Sequence, residues 1–324
     1  MKAFVTGITG FAGSHLSELL IYEGIEVHGL CRWRSAKDNI IHILDHVTLH
    51  HGDLLDLSSL MTCINEVKPD FVFHLAAQSY VPYSFRAPAV TLETNVTGTA
   101  NLLEAIRLSD CDPVIDIASS SEVYGQVNKE DVPIKETCRF QPASPYAVSK
   151  VGTDTISHQY YMSYGLKTIR TRNFTFTGPR RGEVFVVSNF AKQIASISLG
   201  LQDPKISVGN LDSVRTFADV RDTVRAYWDL VNMCEAGEVY NIGGETTMTI
   251  GEMLNRLIDL SPVRENIEVV VDKSRLRPSD VTLQIPCLDK FKNATGWKPK
   301  YSFDQTLTDT LYYWRDKLGR QLKK

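Results

Sequence analysis

The sequence predicts an α/β protein in which a doubly wound parallel sheet is joined to a smaller mixed α/β lobe. Three observations predict this fold class. Short apolar segments alternate with helical segments over residues 1–174, the segments are apolar throughout instead of at alternate positions, and a glycine-rich turn joins the first segment to a helix. Strands that are apolar on both faces are typical of a parallel sheet covered by helices on both sides. Right-handed crossovers then wind such a sheet in both directions from its first strand.

Six strands and four helices are predicted to alternate over residues 1–174. Strands are expected at residues 2–6, 26–30, 48–51, 71–75, 113–118 and 168–173. Helices are expected at residues 11–23, 57–67, 90–109 and 146–164. Each helix is long enough to cross back over the sheet between two parallel strands. Residues 1–174 are therefore predicted to form the first domain.

The pattern loosens after about residue 175, where helices mix with short strands and loops that contain proline. Helices are expected at residues 187–200 and 250–260. A segment near 215–243 is expected to return to the first domain, with the stretch 219–231 packing on it and a strand at 239–242. Residues 175–324 are predicted to form a second, smaller lobe.

Composition excludes several classes of protein. The 324 residues carry 35 Lys and Arg against 38 Asp and Glu, and this near-balance gives no reason to expect a nucleic acid as a partner. The N-terminus does not read as a secretory signal, and no apolar run reaches about 18 residues, so no membrane association is expected. The six cysteines form no CxxC pair and the eight histidines show no ligand spacing. We expect a cytoplasmic protein that binds no metal.

The glycine-rich turn after the first strand reads Gly7-Ile8-Thr9-Gly10-Phe11-Ala12-Gly13. Glycine lets the backbone turn sharply and approach a pyrophosphate without a Cβ in the way. The start of the helix offers unpaired N–H groups and a partial positive charge. Three spaced glycines directly after a strand therefore predict a dinucleotide site. The residues expected to contact the cofactor here are Gly7, Thr9, Gly10, Phe11, Ala12 and Gly13.

The end of the second strand indicates which dinucleotide is bound. An acidic residue there would bond the 2′-hydroxyl of NAD, but the chain reads Leu30-Cys31-Arg32-Trp33-Arg34-Ser35, with no carboxylate before Asp38. Arg32 or Arg34 can pair with a 2′-phosphate through charge-assisted hydrogen bonds. We therefore predict NADP rather than NAD. Further contacts are expected from Asp53 and Leu54 beside the adenine and from Leu75, Ala76 and Ala77 beside the pyrophosphate.

Tyr146 and Lys150 are four residues apart and lie on one face of a predicted helix. An ammonium beside the phenol, together with an oxidised nicotinamide, favours phenolate and is expected to lower the pKa of Tyr146 toward neutrality. Such a phenolate is the base needed to remove a hydroxyl proton during hydride transfer. Both side chains are also expected to contact the cofactor.

Several motifs together resemble a known family. They are the glycine loop, His74-Leu75-Ala76-Ala77-Gln78-Ser79, Ala118-Ser119-Ser120-Ser121-Glu122-Val123-Tyr124-Gly125, and Tyr146 with Lys150. Over nearly the whole chain the sequence is similar to the extended short-chain dehydrogenase/reductases that act on nucleotide sugars, which have a Rossmann fold. Within them it most resembles the GDP-mannose 4,6-dehydratases and their sister GDP-4-keto-6-deoxymannose reductases. The shared features are Ala76-Ala77-Gln78-Ser79-Tyr80-Val81, Ser120-Ser121-Glu122, Pro179-Arg180-Arg181-Gly182-Glu183 and Arg277-Pro278-Ser279-Asp280.

The resemblance implies an NADP-dependent lyase that dehydrates a GDP-linked manno-configured sugar, GDP-mannose or a close relative such as a GDP-heptose. Transient oxidation at C4 makes the C5 proton acidic. Loss of that proton and of the C6 hydroxyl as water, with return of the hydride to C6, gives a 4-keto-6-deoxy sugar. The implied roles are a base at the 4-hydroxyl for Tyr146, its electrostatic partner for Lys150 and a hydrogen bond to the C4 oxygen for Ser120. Glu122 is the implied base at C5, an acid that simple 4-epimerases usually lack.

The resemblance also implies a substrate site and an assembly. Substrate contacts are expected from Ser79, Ser120, Glu122, Asn173, Lys192, Arg215 and Arg277, with the two arginines on the phosphates. In relatives, two helices from each subunit pack as a dimer interface. The predicted helices at 90–109 and 146–164 therefore imply a homodimer or a homotetramer.

Departures from the dehydratase pattern leave an alternative open. Ser120 stands where these dehydratases usually carry threonine, and the segment after Arg34 is shorter than theirs. Residues 189–192 and 214–222 look more like the sister reductases. The alternative function is therefore a GDP-4-keto-6-deoxymannose reductase or a nucleotide-sugar 4-epimerase.

Overall fold

The computed structural model describes residues 1–263, 267–276 and 281–322. Its strands are β1 (Lys2–Thr6), β2 (Glu26–Cys31), β3 (Val47–His51), β4 (Phe71–His74), β5 (Val114–Ala118), β6 (Lys167–Asn173), β7 (Phe176–Thr177), β8 (Lys205–Val208), β9 (Val214–Asp219), β10 (Val239–Ile242), β11 (Thr246–Thr249), β12 (Glu268–Val271) and β13 (Leu283–Gln284). Its helices are α1 (Phe11–Tyr22), α2 (Leu57–Val67), α3 (Val81–Arg86), α4 (Pro88–Leu92), α5 (Gly98–Arg107), α6 (Pro145–Tyr164), α7 (Val186–Ser198), α8 (Val220–Met233), α9 (Ile250–Asp259), α10 (Asp289–Thr295) and α11 (Phe303–Leu322). In the described residues, no helix is long and apolar enough to span a membrane.

The largest sheet is parallel and has the strand order β10-β6-β5-β4-β1-β2-β3. From the central β1 the chain runs outward to β2 and β3, and then crosses to β4, β5 and β6 on the other side. This reversal leaves a crevice beyond the carboxyl ends of β1 and β4, where open sheets of this kind bind their ligands. The doubly wound parallel sheet predicted from the sequence is confirmed.

The apolar strands of this sheet are covered on both faces. On β1, Val5 belongs to the same buried cluster as Leu16 of α1, whereas Phe4 belongs to the cluster of Leu60 from α2 and Leu102 from α5. Successive residues of a strand point to opposite faces, so both faces of β1 need apolar side chains. This is why the strand reads as a continuous apolar run.

In its described residues the second lobe has two small sheets, against which helices α7, α9 and α11 pack. β9 pairs with β7, β11 and β13, and β8 pairs with β12. Helices α7, α9 and α11 share a buried cluster that includes Phe190, Leu254, Leu307 and Trp314. The smaller mixed α/β lobe is therefore confirmed as part of the fold class. β10 lies at the edge of the large sheet, whereas β9 lies in the second lobe.

The helix predicted at residues 90–109 is present and contains one wider turn. α4, the π-helical turn Glu93–Thr97 and α5 follow one another without a break, so the backbone is helical from Pro88 to Arg107. At this turn the buried Asn95 side chain accepts a hydrogen bond from Gln78 N at 2.8 Å and donates to Ser149 Oγ at 2.8 Å. The hydrogen-bond pattern of the helix widens at Asn95, whose side-chain amide links the loop after β4 to α6. Wider helical turns of this kind are frequent near functional sites. The other helices and strands predicted in the first half agree with the structure to within one residue at each end.

Candidate active site

A cleft of about 1460 Å³ opens at the carboxyl ends of the large sheet and continues over the second lobe. The predicted cofactor residues that line it are Gly7, Thr9, Gly10, Phe11, Ala12, Gly13, Arg32, Asp53, Leu54, Leu75, Ala76, Ala77, Tyr146 and Lys150. The predicted substrate residues that line it are Ser79, Ser120, Glu122, Asn173, Lys192 and Arg215. Arg34 does not line the cleft, and Arg277 lies outside the described residues. The tertiary structure thus gathers almost all of the predicted residues around one space.

The glycine loop brings the backbone itself to the wall of the cleft. Gly7 has a φ of +74°, and Gly10 N donates a hydrogen bond of 2.9 Å to Gly7 O, which closes the turn. A Cβ at Gly7 would lie 2.9 Å from Ala76 N. α1 begins after Gly10, and no side chain of that residue caps the first N–H groups. Those N–H groups and the helix dipole suit a pyrophosphate, so the loop fits a dinucleotide.

The two arginines after β2 lie in different surroundings, which corrects one of the predictions. Ser35 N donates to Arg32 O at 2.9 Å and closes a tight turn. Both arginines are exposed, but Arg32 and Ser35 line the cleft and Arg34, within the turn, does not. Arg32 with the Ser35 hydroxyl therefore fits a 2′-phosphate, and Arg34 does not.

Helix α6 presents Tyr146 and Lys150 to the cleft. The Ser144 side chain caps the helix by accepting a hydrogen bond of 3.1 Å from Ala147 N, which fixes where the first turn begins. Lys150 is only 6% exposed, and its Nζ donates a hydrogen bond of 2.6 Å to the backbone oxygen of Ala118. Burial lowers the pKa of Lys150 to about 8. The ammonium is thus held at the end of β5 beneath the cleft.

The Tyr146 phenol lies among two polar side chains and one cation. Burial raises the pKa of Tyr146 to about 12, a hydrogen bond with Ser120 and the charge of Arg181 act to lower it, and the Glu122 carboxylate raises it further. The sequence predicts a pKa lowered toward neutrality by Lys150 together with an oxidised nicotinamide. For the protein groups alone the direction is the opposite one, because burial of the phenol dominates and the Lys150 ammonium is bonded to a backbone oxygen.

Ser120 and Glu122 are held together at the end of β5. A short 3₁₀ turn, Ser121–Tyr124, follows the strand, and the Ser120 Oγ accepts a hydrogen bond of 3.2 Å from Glu122 N. The turn keeps both side chains in the lining of the cleft, next to Tyr146. A carboxylate, a hydroxyl and a phenol therefore face one space. This arrangement can exchange protons at two neighbouring positions of a bound ligand.

Arg181 is a cleft residue to which the sequence analysis assigned no role. Its guanidinium carbon lies 3.6 Å from the centre of the Phe185 ring and 4.8 Å from that of Phe11. Burial lowers the pKa of Arg181 to about 10, and the phenols of Tyr146 and Tyr227 act to raise it. In the part of the chain that is described, no carboxylate pairs with this guanidinium. The signal was present in the sequence, because Arg181 lies in the 179–183 motif that carried the resemblance.

Basic and amide side chains line the far end of the cleft. Lys192 pairs with Glu183, and Arg275 donates a hydrogen bond of 2.7 Å to Asn189 Oδ1. Arg215 is 8% exposed and donates to the backbone oxygen of its neighbour in β9 at 3.0 Å. Asn189 and Arg275 were not predicted as site residues. Their spacing in the sequence could not predict this contact, because Asn189 of α7 reaches Arg275 of the short turn Lys273–Arg275 only in the folded chain.

Residues 4–310 match the GDP-mannose 4,6 dehydratase family. The chain belongs to this family. GDP-6-deoxy-D-mannose reductase from Pseudomonas aeruginosa is 35% identical to it over 320 residues, which are 99% of each chain. GDP-mannose 4,6 dehydratase 1 from Arabidopsis thaliana is 36% identical over 317 residues, which are 94% of this chain and 86% of the relative. The solved structure of RMD from Pseudomonas aeruginosa, complexed with NADPH, has a TM-score of 0.84 and 34% identity over 98% of this chain and 99% of that one.

Membership of the GDP-mannose 4,6 dehydratase family confirms the resemblance stated from the sequence motifs. Both the dehydratases and the sister reductases named there are among the relatives. The Rossmann-type fold class is confirmed by the structural match as well as by the strand order. The protein is therefore an enzyme of this family, and the local geometry of the cleft bears on which reaction it performs.

Proposed function

We propose that this protein is an NADP-dependent GDP-mannose 4,6-dehydratase, acting on GDP-mannose or a close relative such as a GDP-heptose. The observation that carries the proposal is the position of Glu122, which lines the cleft and acts electrostatically on the Tyr146 phenol. A dehydratase needs one base at the C4 hydroxyl and a second at C5. A reductase needs only the group that serves C4.

The chain's own residues divide the work. Tyr146 takes the proton of the 4-hydroxyl, and Ser120 hydrogen-bonds the same oxygen, since its hydroxyl already bonds the phenol. Lys150 contributes its positive charge from below, held by a backbone oxygen of β5. A ketone at C4 makes the C5 proton acidic; Glu122 removes it and passes it to the C6 hydroxyl, which leaves as water. Return of the hydride to C6, with a proton from water added at C5 through Glu122, completes the 4-keto-6-deoxy sugar. NADP, when bound, supplies the hydride acceptor and donor of the cycle.

Cofactor binding rests on the backbone of the glycine loop and on Arg32. The uncapped start of α1 would receive the pyrophosphate, and Arg32 with Ser35 the 2′-phosphate. We assign residues 1–174 to the cofactor-binding domain, with a return segment near 215–243 of which α8 and β10 pack with the large sheet and β9 remains in the second lobe. Residues 175–324 are otherwise assigned to the nucleotide-sugar lobe. The six cysteines are free thiols, which supports a cytoplasmic location.

A reductase is the second candidate, because a GDP-6-deoxy-D-mannose reductase matches 99% of the chain at 35% identity. Incubation of the purified protein with NADP and GDP-mannose separates the two. A dehydratase gives a product lighter by one water, with no net NADPH. A reductase leaves GDP-mannose unchanged and oxidises NADPH when it is given the 4-keto-6-deoxy sugar, and that result would overturn the proposal.

The proposal includes a homodimer or homotetramer formed through the helix at 90–109, which spans α4 and α5, and α6. Val90 on α4 and Val148 and Met162 on α6 are 48%, 46% and 67% exposed. Large apolar side chains gathered on adjacent helices are typical of a protein interface. Sedimentation of the wild type and of Val148→Glu tests this; a monomeric wild type, or an unchanged mass in the variant, would count against it.

A further inference from the structure

Gln284 of β13 is a buried polar residue in the cleft that no role above explains. It is 2% exposed and lines the cleft, and its Nε2 has no hydrogen-bond partner among the described residues. Thr177 is the other cleft residue with such an atom, but a hydroxyl hydrogen can rotate to suit its surroundings. The two N–H donors of a carboxamide are fixed in its plane. Gln284 therefore indicates more clearly than Thr177 that a ligand supplies a hydrogen-bond acceptor here.

An unpartnered buried amide is unusual in folded proteins. Such groups are destabilising because the amide has lost its water without gaining a partner. Buried polar groups left unpaired in this way are a known source of substrate discrimination, since only a ligand with the matching acceptor satisfies them. The position of Gln284 then decides which part of the ligand it meets.

Two contacts relate the strand of Gln284 to residues expected to bind the substrate. In the register of β13 with β9, Gln284 lies beside Arg215, the residue expected on the phosphates. Two residues before Gln284, Thr282 N donates a hydrogen bond of 3.1 Å to Gln126 Oε1, and Gln126 Nε2 donates one of 2.7 Å to Thr282 Oγ1. Gln126 is the fourth residue after Glu122. The strand is thus tied to the loop that carries the C5 base.

We propose that the Gln284 carboxamide hydrogen-bonds a hydroxyl of the sugar ring and so selects the sugar of the substrate. A carboxamide offers both a donor and an acceptor, as a hydroxyl does, whereas phosphate oxygens are acceptors that arginine meets better. The inference rests on the proposed function in that the ligand is a nucleotide sugar. It does not depend on whether the sugar is dehydrated or reduced.

The test compares GDP with GDP-mannose as ligands of the NADP-loaded protein. Gln284→Met keeps the volume of the side chain but removes the amide. We expect it to weaken GDP-mannose binding at least tenfold and to leave the Kd for GDP within twofold. Its Tm without sugar nucleotide should equal or exceed that of the wild type. The control is Gln202→Met, whose Nε2 donates to the backbone oxygen of Lys205 at 2.6 Å and which lies outside the cleft lining; it should leave the ratio of the two affinities unchanged.

Deoxy analogues of GDP-mannose then identify the hydroxyl, because the analogue that lacks it should bind wild type and Gln284→Met equally well. Equal weakening of GDP and GDP-mannose would overturn the inference by placing the amide on the nucleotide. Unchanged binding of both would overturn it as well. The products formed by the wild type test the proposed function separately. If the wild type is a reductase and Gln284→Met still weakens sugar binding, only the dehydratase proposal is contradicted.

Discussion

A Cβ at Gly13 would lie 2.2 Å from the carbonyl oxygen of Gly7, so the first turn of α1 rests directly on the loop before it. Gly7 in turn lies against the backbone of Ala76 at the end of β4. Backbone touches backbone at both places, which leaves the N–H groups of the helix start facing the cleft. The glycines are required by these close approaches rather than by any chemistry of a side chain.

Gly13→Ala should therefore weaken NADP binding by at least tenfold, because the helix must move away from Gly7 to make room. The measurement is the Kd for NADP by fluorescence titration, with Tm recorded in parallel. Gly319→Ala is the matched control: a Cβ there meets nothing within 4 Å, and alanine favours a helix. NADP binding by Gly13→Ala at the wild-type affinity would contradict the assignment of the loop.

Arg32→Ala should reduce the preference for NADP over NAD, whereas Arg34→Ala should leave it unchanged. Only Arg32 lines the cleft. Loss of a charge-assisted contact with a phosphate corresponds to about 1.5–3 kcal/mol, or roughly tenfold or more in the Kd for NADP. The ratio of the two dissociation constants is measured for both variants. A larger effect at Arg34 would show that the turn after β2 rearranges around the cofactor.

Glu122→Gln should lower the rate of water loss by roughly 10²–10⁴-fold, because the amide cannot accept the C5 proton. Hydride transfer at C4 should remain detectable as NADPH absorbance in a single turnover. Glu130→Gln, an exposed acid in the following loop, is the control and should behave as the wild type. Full dehydratase activity in Glu122→Gln would remove this carboxylate from the mechanism.

Arg181→Met should move the acidic limb of the pH profile of kcat to higher pH. The charge of Arg181 acts to lower the pKa of Tyr146, so removing it makes the phenol harder to deprotonate. At neutral pH kcat should fall roughly tenfold, the effect of about 1.4 kcal/mol on the barrier. Arg180→Met is the comparison, since that guanidinium pairs with Glu18. An equal shift in both variants would point to a structural cause.

The free energy of unfolding should fall as the pH drops below 6.5, in part because of His74. Burial lowers the pKa of His74 to about 3, and its ring bonds Thr6 and Thr99 at 2.9 Å. Between pH 6.5 and 3 the unfolded chain binds a proton at this histidine that the folded chain does not. Stability is therefore lost on acidification, at about 1.4 kcal/mol per pH unit for one such group.

Urea unfolding of wild type and His74→Gln at pH 7, 6 and 5 measures this contribution. The variant should have a shallower dependence on pH by about one proton. His158→Gln, at an exposed position, should retain the wild-type slope. His15→Gln is a second variant in case His74→Gln does not fold, because burial likewise lowers the pKa of His15 to about 4. Identical slopes in all of these proteins would contradict the neutral buried state.

Local pattern accounts for the features that were predicted correctly. Apolar runs, glycine spacing and the cap at Ser144 act within a few residues, so the sequence alone indicates the strands, the loop and the start of α6. The wider turn inside the helix at 90–109 was not anticipated, because it depends on the partners of the Asn95 side chain. Its amide partners, Gln78 and Ser149, come from two other elements of the fold.

By itself, then, the sequence determined the doubly wound sheet and the dinucleotide loop. It also indicated Ser120, Glu122, Tyr146 and Lys150 as candidate catalytic residues, since each of these features lies in a short motif of neighbouring residues. The tertiary structure alone decided which arginine after β2 reaches the cleft and why the Tyr146 pKa rises. It also revealed Arg181 and Gln284 as lining residues. Their surroundings are created by segments distant in the chain, and burial and hydrogen bonding at such junctions depend on packing that no local pattern encodes.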